Sequence, residues 1–566
     1  MSFVAQLYSK MVWKHRHALA LALGTLALAH QTIPHRARGG AMWAAHVRQH
    51  GEERFGSTDA LWITLPVDHA QPDGDTFPCR YYVDSSGCGG APCKALFFVM
   101  GGEGPAGGTP TGYIAQLAAK RGARVAAIEH RYYGDSVPGG APGGPGEPNG
   151  LATAQLAPLT ATQALADAAK LIEHLGGGSA DGGGDALPTF TFGGSYSGAL
   201  SAWFRGQYPT HTRGSLSSSG VVDTVFNFTG FDQQVREAIG EDCAAGWELV
   251  TRAYDVALQP PAAEKAAALA QLGLRPGYLN ADLYYLIADA AAMADQYGRK
   301  DALCAMHAEV SASYASAANL TAVRTIFAAW VAAFHGAHFS ADCFYDTACL
   351  GDATQAARWQ PTARAWRWQK CNELGYLQPA PPPAAKPLRS AFLTLAELQT
   401  QCEVLFGDAP APYKGPKAGA LGTLQRYGGA TAAGNANTTR VFFSDFSDDP
   451  WQRASVRAQL SPELPYRKVT CDGCGHCMDL HAANDSADPA GLTAERAAFE
   501  ASLEEWLGAP AGGDGGDDPV LSGAAEAAIV LGTLAAVGVA TALFMRRKAR
   551  QQARLTAPLV ASAHAV

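Results

Sequence analysis

Basic charge is scarce in this 566-residue chain: 43 Lys and Arg stand against 51 Asp and Glu, a formal net charge of −8. Attraction to phosphates needs a basic face, so the balance argues against a nucleic-acid partner. Charged residues make up only 17%, whereas hydrophobic ones reach 48%. That allows a large core and excludes wholesale disorder. With 62 Gly and 33 Pro, about a sixth of the chain, the composition stays below the low-complexity range. No internal repeat is present. Cysteine is absent before Cys79 and after Cys477, so all twelve lie between them. At ~150 residues per domain the length accommodates about three or four domains.

The two ends lack acidic residues. Residues 1–29 carry Lys10, Lys14 and Arg16 ahead of an apolar run, Ala18–Ala29. Twelve helical residues cover ~18 Å, short of a ~30 Å hydrocarbon core. With the small residues Ala27-Leu28-Ala29 behind it, the run reads as a cleaved signal peptide, 1–29. A second run, Ala527–Met545, has nineteen residues without a charge, and Arg546-Arg547-Lys548-Ala549-Arg550 follows. It is expected to be a transmembrane helix, 527–545, with a basic cytosolic tail, 546–566. A Gly/Asp-rich linker, 510–526, precedes it. Taking away three cations at one end and five at the other leaves 35 Lys and Arg against 51 Asp and Glu in 30–545. The expectation is a single-pass type I membrane protein of the secretory pathway, at the lysosome, vacuole or cell surface. Sequons at Asn227, Asn319, Asn437 and Asn484 are candidate glycosylation sites, and an oxidising compartment suits the cysteines. The tail shows no ER-retrieval ending and no obvious tyrosine sorting signal.

Between the ends, short apolar runs bounded by Gly and Pro recur: Ala95–Met100, Arg124–Ile128, Pro188–Phe192 and Arg440–Ser444. Helical spacing over Ala154–Leu175 lies between two of them. Strands alternating with a helix predict an α/β fold with a parallel sheet. Val235–Gln271 and Ala281–Phe334 have helical spacing and no strand pattern. Cys243, Cys304, Cys343, Cys349, Cys371 and Cys402 fall in or beside this stretch. The prediction is a helical block inserted into the α/β domain, held by up to three disulfides of unspecified pairing. The Gly-rich patches 139–150 and 177–185 read as surface loops.

Three segments carry chemistry. Thr189–Phe204 reads TFTFGGSYSGALSAWF: a strand, a tight Gly-Ser turn, then a helix. A serine on such a turn is a nucleophile elbow, with its hydroxyl exposed and the next backbone N–H aimed at the same point. This makes Ser195 the candidate nucleophile and the Tyr196 N–H an oxyanion donor. An acid and a base should follow in the order Ser, Asp, His. Asp445, Asp448 and Asp449 compete for the acid. His476 stands in the Gly-rich loop CDGCGHCMDL, where an imidazole can swing over the serine; a Cys/His metal site is the weaker reading, since an exported chain would oxidise those thiols. After the run Ala95–Met100 comes GGEGP at 101–105, where the Gly102 N–H can serve as a second oxyanion donor. No cofactor and no metal is called for.

These stretches together resemble the serine exopeptidase family of lysosomal Pro-X carboxypeptidase, dipeptidyl peptidase II and thymus-specific serine protease. Matching segments run in the family's order over roughly residues 60–505: LPVDH at 65–69 with Thr76, Phe77 and Arg80-Tyr81-Tyr82; GGEGP; EHRYYGDS at 129–136; GGSYSG at 193–198; AWFRGQYP at 202–209; Asp449-Pro450-Trp451; and GHCMDL at 475–480. The resemblance implies an α/β-hydrolase fold in two parts, 45–225 and 421–509, with a helical cap domain, 226–420, between them. It implies Ser195, Asp449 and His476 as the triad. Peptides with proline near a terminus would be the substrates, with the membrane and a second copy in a homodimer as further partners. Glu103 and Trp451 are the substrate-binding candidates, with Trp203 a further candidate for a proline pocket. Pro-X carboxypeptidase activity is the leading expectation and dipeptidyl peptidase activity the alternative. Glu103 suits a substrate amine, whereas Arg131 and Arg205 are the cations available for a substrate carboxylate. Ser197 stands where the family has glycine, and the acidic loop lacks an Asn-Gly before Asp449. These departures motivate a reading of another class, an inactive receptor or adhesion ectodomain. A lipase or esterase on the same fold is disfavoured by the EHRYYG and Asp-Pro-Trp stretches.

Overall fold

β-Branched and aromatic residues recur in runs too short for helices and too apolar for an exposed surface, and these runs become strands of one sheet. The computed structural model describes residues 56–139, 151–178, 186–260, 262–336, 343–359, 361–409, 413–431 and 438–508. The expected signal peptide, linker, transmembrane helix and tail, and Asn437, lie outside the described residues. Among the described residues no helix is long and apolar enough to cross a membrane.

The strands are β1 Leu61–Pro66, β2 Thr76–Asp84, β3 Ala95–Val99, β4 Ala123–Ile128, β5 Gly177–Gly178, β6 Leu187–Gly194, β7 Gly214–Ser218, β8 Val441–Phe446 and β9 Tyr466–Val469. The order is β1-β2-β4-β3-β6-β7-β8-β9, with β5 beside β6. β1 and β2 form an antiparallel hairpin, and β2 runs antiparallel to β4. From β4 to β9 every neighbouring pair is parallel. LPVDH and the residues around Arg80 thus fall on two strands and the turn between them. The helices that cover the sheet include α1 Tyr113–Arg121, α2 Ala161–His174 and α3 Tyr196–Gln207. The expected helix over Ala154–Leu175 starts later than its spacing suggests: Pro158 interrupts it, and the Thr160 hydroxyl caps α2 by accepting from the Gln163 N–H.

Burial on both faces explains the near-continuous apolar runs of the central strands. In β3, Leu96 and Phe98 enter one core with α2 and α3, while Ala95 and Phe97 enter a second core with α1 and the last helix. Gly177 and Gly178, expected in a surface loop, instead form β5 against β6. A Cβ on Gly177 would sit 2.6 Å from Thr189 Oγ1 and 2.7 Å from Leu96 Cδ2, so this strand needs glycine there.

Between β7 and β8 lie α4 Gly230–Leu258, α5 Lys265–Gln271, α6 Asn280–Gln296, α7 Lys300–Ala317 and α8 Leu320–Phe334. Further on come the shorter α9 Thr347–Gly351, α10 Ala353–Trp359, α11 Pro361–Gln369, α12 Leu395–Phe406 and α13 Pro416–Tyr427; α14 Ala490–Gly508 follows β9. Gly240, at φ 76°, kinks α4. Disulfides join Cys243 to Cys304, Cys343 to Cys349 and Cys371 to Cys402 within this helical segment. Two more, Cys88–Cys93 and Cys471–Cys474, lie in the sheet portion. Cys79 and Cys477 are free. The apolar core of α2 and α3 runs without a break into α4, α6 and α8, so the helical segment buries its apolar face on the sheet's own core. A mixed sheet of this order, with a helical insertion before β8, is the α/β-hydrolase fold.

Candidate active site

In parallel sheets, sites form beyond the carboxyl ends of the strands. The candidate residues leave the sheet there: Gly102 and Glu103 after β3, Ser195 after β6, Asp449 after β8 and His476 after β9.

Ser195 sits between the last residue of β6 and the first of α3 with φ 61° and ψ −126°. A non-glycine residue at such an angle is strained and is held there by its surroundings. Its N–H donates to Ser218 O at 2.9 Å and its carbonyl accepts from the Ala199 N–H at 3.0 Å. The turn leaves no room for neighbouring side chains. A Cβ on Gly193 would lie 2.0 Å from Ser197 O, and one on Gly198 would lie 2.8 Å from Ser218 O. Ser197, in place of the family's glycine, braces the turn: its hydroxyl donates to Gly194 O at 2.8 Å and accepts from the Gly194 N–H at 3.0 Å. That departure therefore leaves the elbow intact.

The His476 loop is pinned on both sides. Its N–H donates to Gln296 O, at the end of α6, at 2.7 Å. Cys471–Cys474 closes the preceding turn, which removes two thiols from the metal-site alternative. A Cβ on Gly475 would meet Gln296 O and Gly298 N, each at 2.6 Å. His476 Nδ1 lies 2.8 Å from Asp449 Oδ2, and Nε2 is buried without a hydrogen-bond partner among the described residues. Burial alone would lower the imidazole pKa; the Asp449 carboxylate outweighs it and raises the pKa well above its ordinary value.

Geometry separates the three carboxylates. Asp449 is fully buried; its second oxygen accepts from the Trp451 N–H at 2.9 Å, which fixes the carboxylate at the start of the Pro450–Ala454 turn. Asp448 instead takes Lys300 Nζ at 2.9 Å and the Gly473 N–H at 2.8 Å. Asp445 is fully buried on β8, and burial raises its carboxyl pKa well above the usual range.

Ser195, His476, Gly102, Glu103 and Trp451 line one cavity of about 710 Å³. Its far wall comes from the helical insertion: Gln296, Tyr297, Phe344 and Trp366. Glu103 is half-buried at the cavity, and loss of hydration among the surrounding protein groups raises its pKa. Trp451 Nε1 donates to Gln296 Oε1 at 2.9 Å, tying the loop after β8 to α6. As the first residue of α3, Tyr196 has a backbone N–H with no intrahelical acceptor. Its hydroxyl is buried with Gln369 Nε2 at 2.7 Å and His130 Nε2 at 3.2 Å.

Three residues considered for substrate contact stand elsewhere. Trp203 is stacked on Tyr427 in the core, with ring centroids 4.5 Å apart. Arg131 is fully buried and holds both oxygens of Asp167 at 2.7 Å. Arg205 is spent on the carbonyls of Thr439, Pro209 and Thr212. The EHRYYG stretch as a whole acts as a brace. Buried Glu129 pairs with Arg80 and accepts from the Ala106 N–H (2.9 Å), the Asp135 N–H (3.0 Å) and Ser136 Oγ (2.7 Å), which fixes the chain just after GGEGP. A Cβ on Gly134 would lie 1.9 Å from Glu129 Oε1. Asn227, Asn319 and Asn484 are exposed; the Asn319 side chain also caps α8.

The family profile described as Serine carboxypeptidase S28 matches residues 66–499. The chain belongs to this family. Among curated relatives, "Probable serine protease EDA2" of Arabidopsis thaliana is 33% identical over 442 residues, covering 76% of this chain and 82% of that one. The mouse thymus-specific serine protease is 27% identical over 472 residues, covering 79% and 87%. The mouse lysosomal Pro-X carboxypeptidase is 35% identical over 168 residues, covering 29% and 32%. The family identified in the sequence by its ordered motifs is thus the family the chain belongs to, and the chain is a serine peptidase.

Proposed function

We propose that this chain is a serine exopeptidase that cleaves after proline and releases the C-terminal residue, with Ser195 as nucleophile, His476 as general base and Asp449 as orienting acid. The observation that carries the reading is the strained Ser195 elbow opening on the same cavity as His476, whose Nδ1 is held by a buried carboxylate. As Ser195 Oγ attacks the carbonyl, its proton passes to His476 Nε2, and Asp449 stabilises the imidazolium. The N–H groups of Tyr196 and Gly102 receive the oxyanion. His476 then protonates the leaving amine, and water repeats the sequence on the acyl-enzyme. The insertion closes over the cavity and admits chain ends, while Trp451, Trp366 and Phe344 give a proline ring an apolar wall.

Glu103 supports a second reading, a dipeptidyl peptidase, because it lines the cavity and its carboxylate could hold a substrate amine. One substrate decides between them. An N-blocked peptide ending in Pro-Phe is expected to lose Phe; intact peptide, with cleavage of a free-amine Lys-Pro amide instead, would establish the second reading.

The five disulfides among the described residues suit an exported enzyme. Relatives named lysosomal and extracellular point the same way. In this reading the signal peptide is removed and the run 527–545 anchors the enzyme with its catalytic part outside the cytosol. Truncation before Ala527 is expected to release an active protein into the medium. Retention of the truncated form in membranes after alkaline extraction would contradict that topology.

A further inference from the structure

One buried carboxylate has no part in the catalytic sequence above, although it stands three residues after His476 in the GHCMDL stretch. Asp479 is 1% exposed. Its Oδ1 accepts from Ser218 Oγ, and its Oδ2 accepts from Ser444 Oγ at 2.7 Å. Among the described residues it has no ion-pair partner. Arg496, on α14, spends its N–H groups on Asp488 and on the carbonyls of Met478, Asp479 and His481. Burying a carboxylate without a paired cation is costly. Two charge-assisted hydrogen bonds offset that cost while both hydroxyls stay in place, so the carboxylate and the two serines are held as a unit.

The two hydroxyls sit where the site is built. Ser218 and Ser444 are register partners at the carboxyl ends of β7 and β8. Ser218 O is the acceptor for the Ser195 N–H, at 2.9 Å. Ser444 O accepts from the Ser219 N–H at 2.7 Å, and Ser219 Oγ accepts from the Cys477 N–H at 2.9 Å. From Ser444, β8 runs on into the loop that carries Asp449. Asp479 therefore ties together the strand end that supports the nucleophile, the strand that leads to the acid and the loop that carries the base. Ser219 and Cys477 have φ of 44° and 57°, a conformation that persists in a non-glycine residue when its surroundings hold it. The loop also lies directly on the elbow: a Cβ on Gly194 would be 2.8 Å from Cys477 Sγ and 2.9 Å from Leu480 Cδ1.

We infer that Asp479 is a positioning residue, which sets the approach of His476 to Ser195 by accepting from Ser218 and Ser444. This role presupposes the Ser195, Asp449 and His476 triad proposed above. It is exerted through hydrogen bonds and not through charge at the imidazole, where burial and the Asp449 carboxylate act on the pKa. Displacing a reacting group by about 1 Å costs on the order of 100-fold in rate, so a modest shift of the loop is enough to be measured.

The test uses the full-length protein well below its thermal midpoint, with the rate of fluorophosphonate labelling at Ser195 as the readout. Asp479→Ala is expected to slow labelling by about 100-fold per folded molecule. Affinity for acetyl-Ala-Pro-Phe, measured by calorimetry in a Ser195→Ala background, should change less than about twofold on adding Asp479→Ala. Asp479→Asn should label within about fivefold of the unaltered enzyme, because the amide accepts from one serine and donates to the other once that hydroxyl turns. Ser444→Ala, which removes one arm of the tie, should slow labelling by about tenfold and add little to Asp479→Ala. It also serves if Asp479→Ala does not fold. A lowered midpoint with unchanged labelling of the folded fraction in Asp479→Ala, or in Ser444→Ala, would overturn the inference, since Asp479 would then only stabilise. So would Asp479→Asn as slow as Asp479→Ala with a displaced pH profile, which would assign the effect to charge. Both results leave the triad standing if the unaltered enzyme labels at Ser195; absence of that labelling would remove the triad and this role with it.

Discussion

Ser195→Ala is expected to lower turnover of a proline-containing peptide by about 10⁴–10⁶ and to leave the protein folded. The loss is large because the proposed acyl-enzyme cannot form without Oγ. Retained folding follows from the packing: the elbow is held by Ser195 backbone bonds to Ser218 and Ala199 and by the Ser197 brace, and none of these uses the Ser195 hydroxyl. Alanine at φ 61° keeps the strain already present and adds no atoms. Initial rates and the thermal midpoint should be measured on the same preparation. Near-normal turnover would remove Ser195 from the mechanism; a collapsed midpoint would show that the hydroxyl has a structural role.

The second large effect distinguishes three neighbouring acids. Asp449→Asn is expected to cost about 10⁴ in kcat, because it replaces the carboxylate that fixes the imidazole tautomer and stabilises the imidazolium. Asp448→Asn should lose the Lys300 ion pair and little activity. Asp445→Asn should be milder than Asp449→Asn, since the ring nitrogen of His476 is held by Asp449 and not by Asp445. The pH profile adds an independent readout. A general base must be unprotonated, and Asp449 raises the His476 pKa well above its ordinary value. Wild-type kcat/KM should therefore rise with pH and level off above the usual imidazole range. In Asp449→Asn the raising charge is gone while burial, which lowers the pKa, remains, so the residual activity should level off at lower pH. Comparable losses at Asp448, or an unmoved pH profile in the Asp449→Asn enzyme, would assign the acid elsewhere.

The sequence carried the catalytic segments because each is local. A glycine-crowded strand-to-helix turn around Ser195 and a Gly-rich loop around His476 are short-range consequences of backbones that must pass close to one another. β3, β4, β6 and β8 were legible for a similar reason, as apolar runs between breakers. β7 was not: its GSLSS has weak strand propensity, yet all five residues are buried. The explanation is long-range, since a Cβ on Gly214 would lie 2.6 Å from the Phe190 ring and 2.7 Å from Trp506. The cavity-wall residues Gln296, Phe344 and Trp366 were equally hidden, because they meet the site only once the helical insertion has folded over the sheet. Trp203 and Trp451 look alike in sequence, and only packing separates a core stack from a cavity wall. Arg131 looked available for a ligand and is instead saturated by Asp167.

The central claim is that Ser195 forms the acyl-enzyme, and covalent labelling tests it most directly. The folded protein should be treated with a fluorophosphonate, digested, and mapped by mass spectrometry. A single adduct on Ser195, lost in Ser195→Ala, is the predicted result. An adduct on another serine, or none on protein shown to be folded, would contradict it.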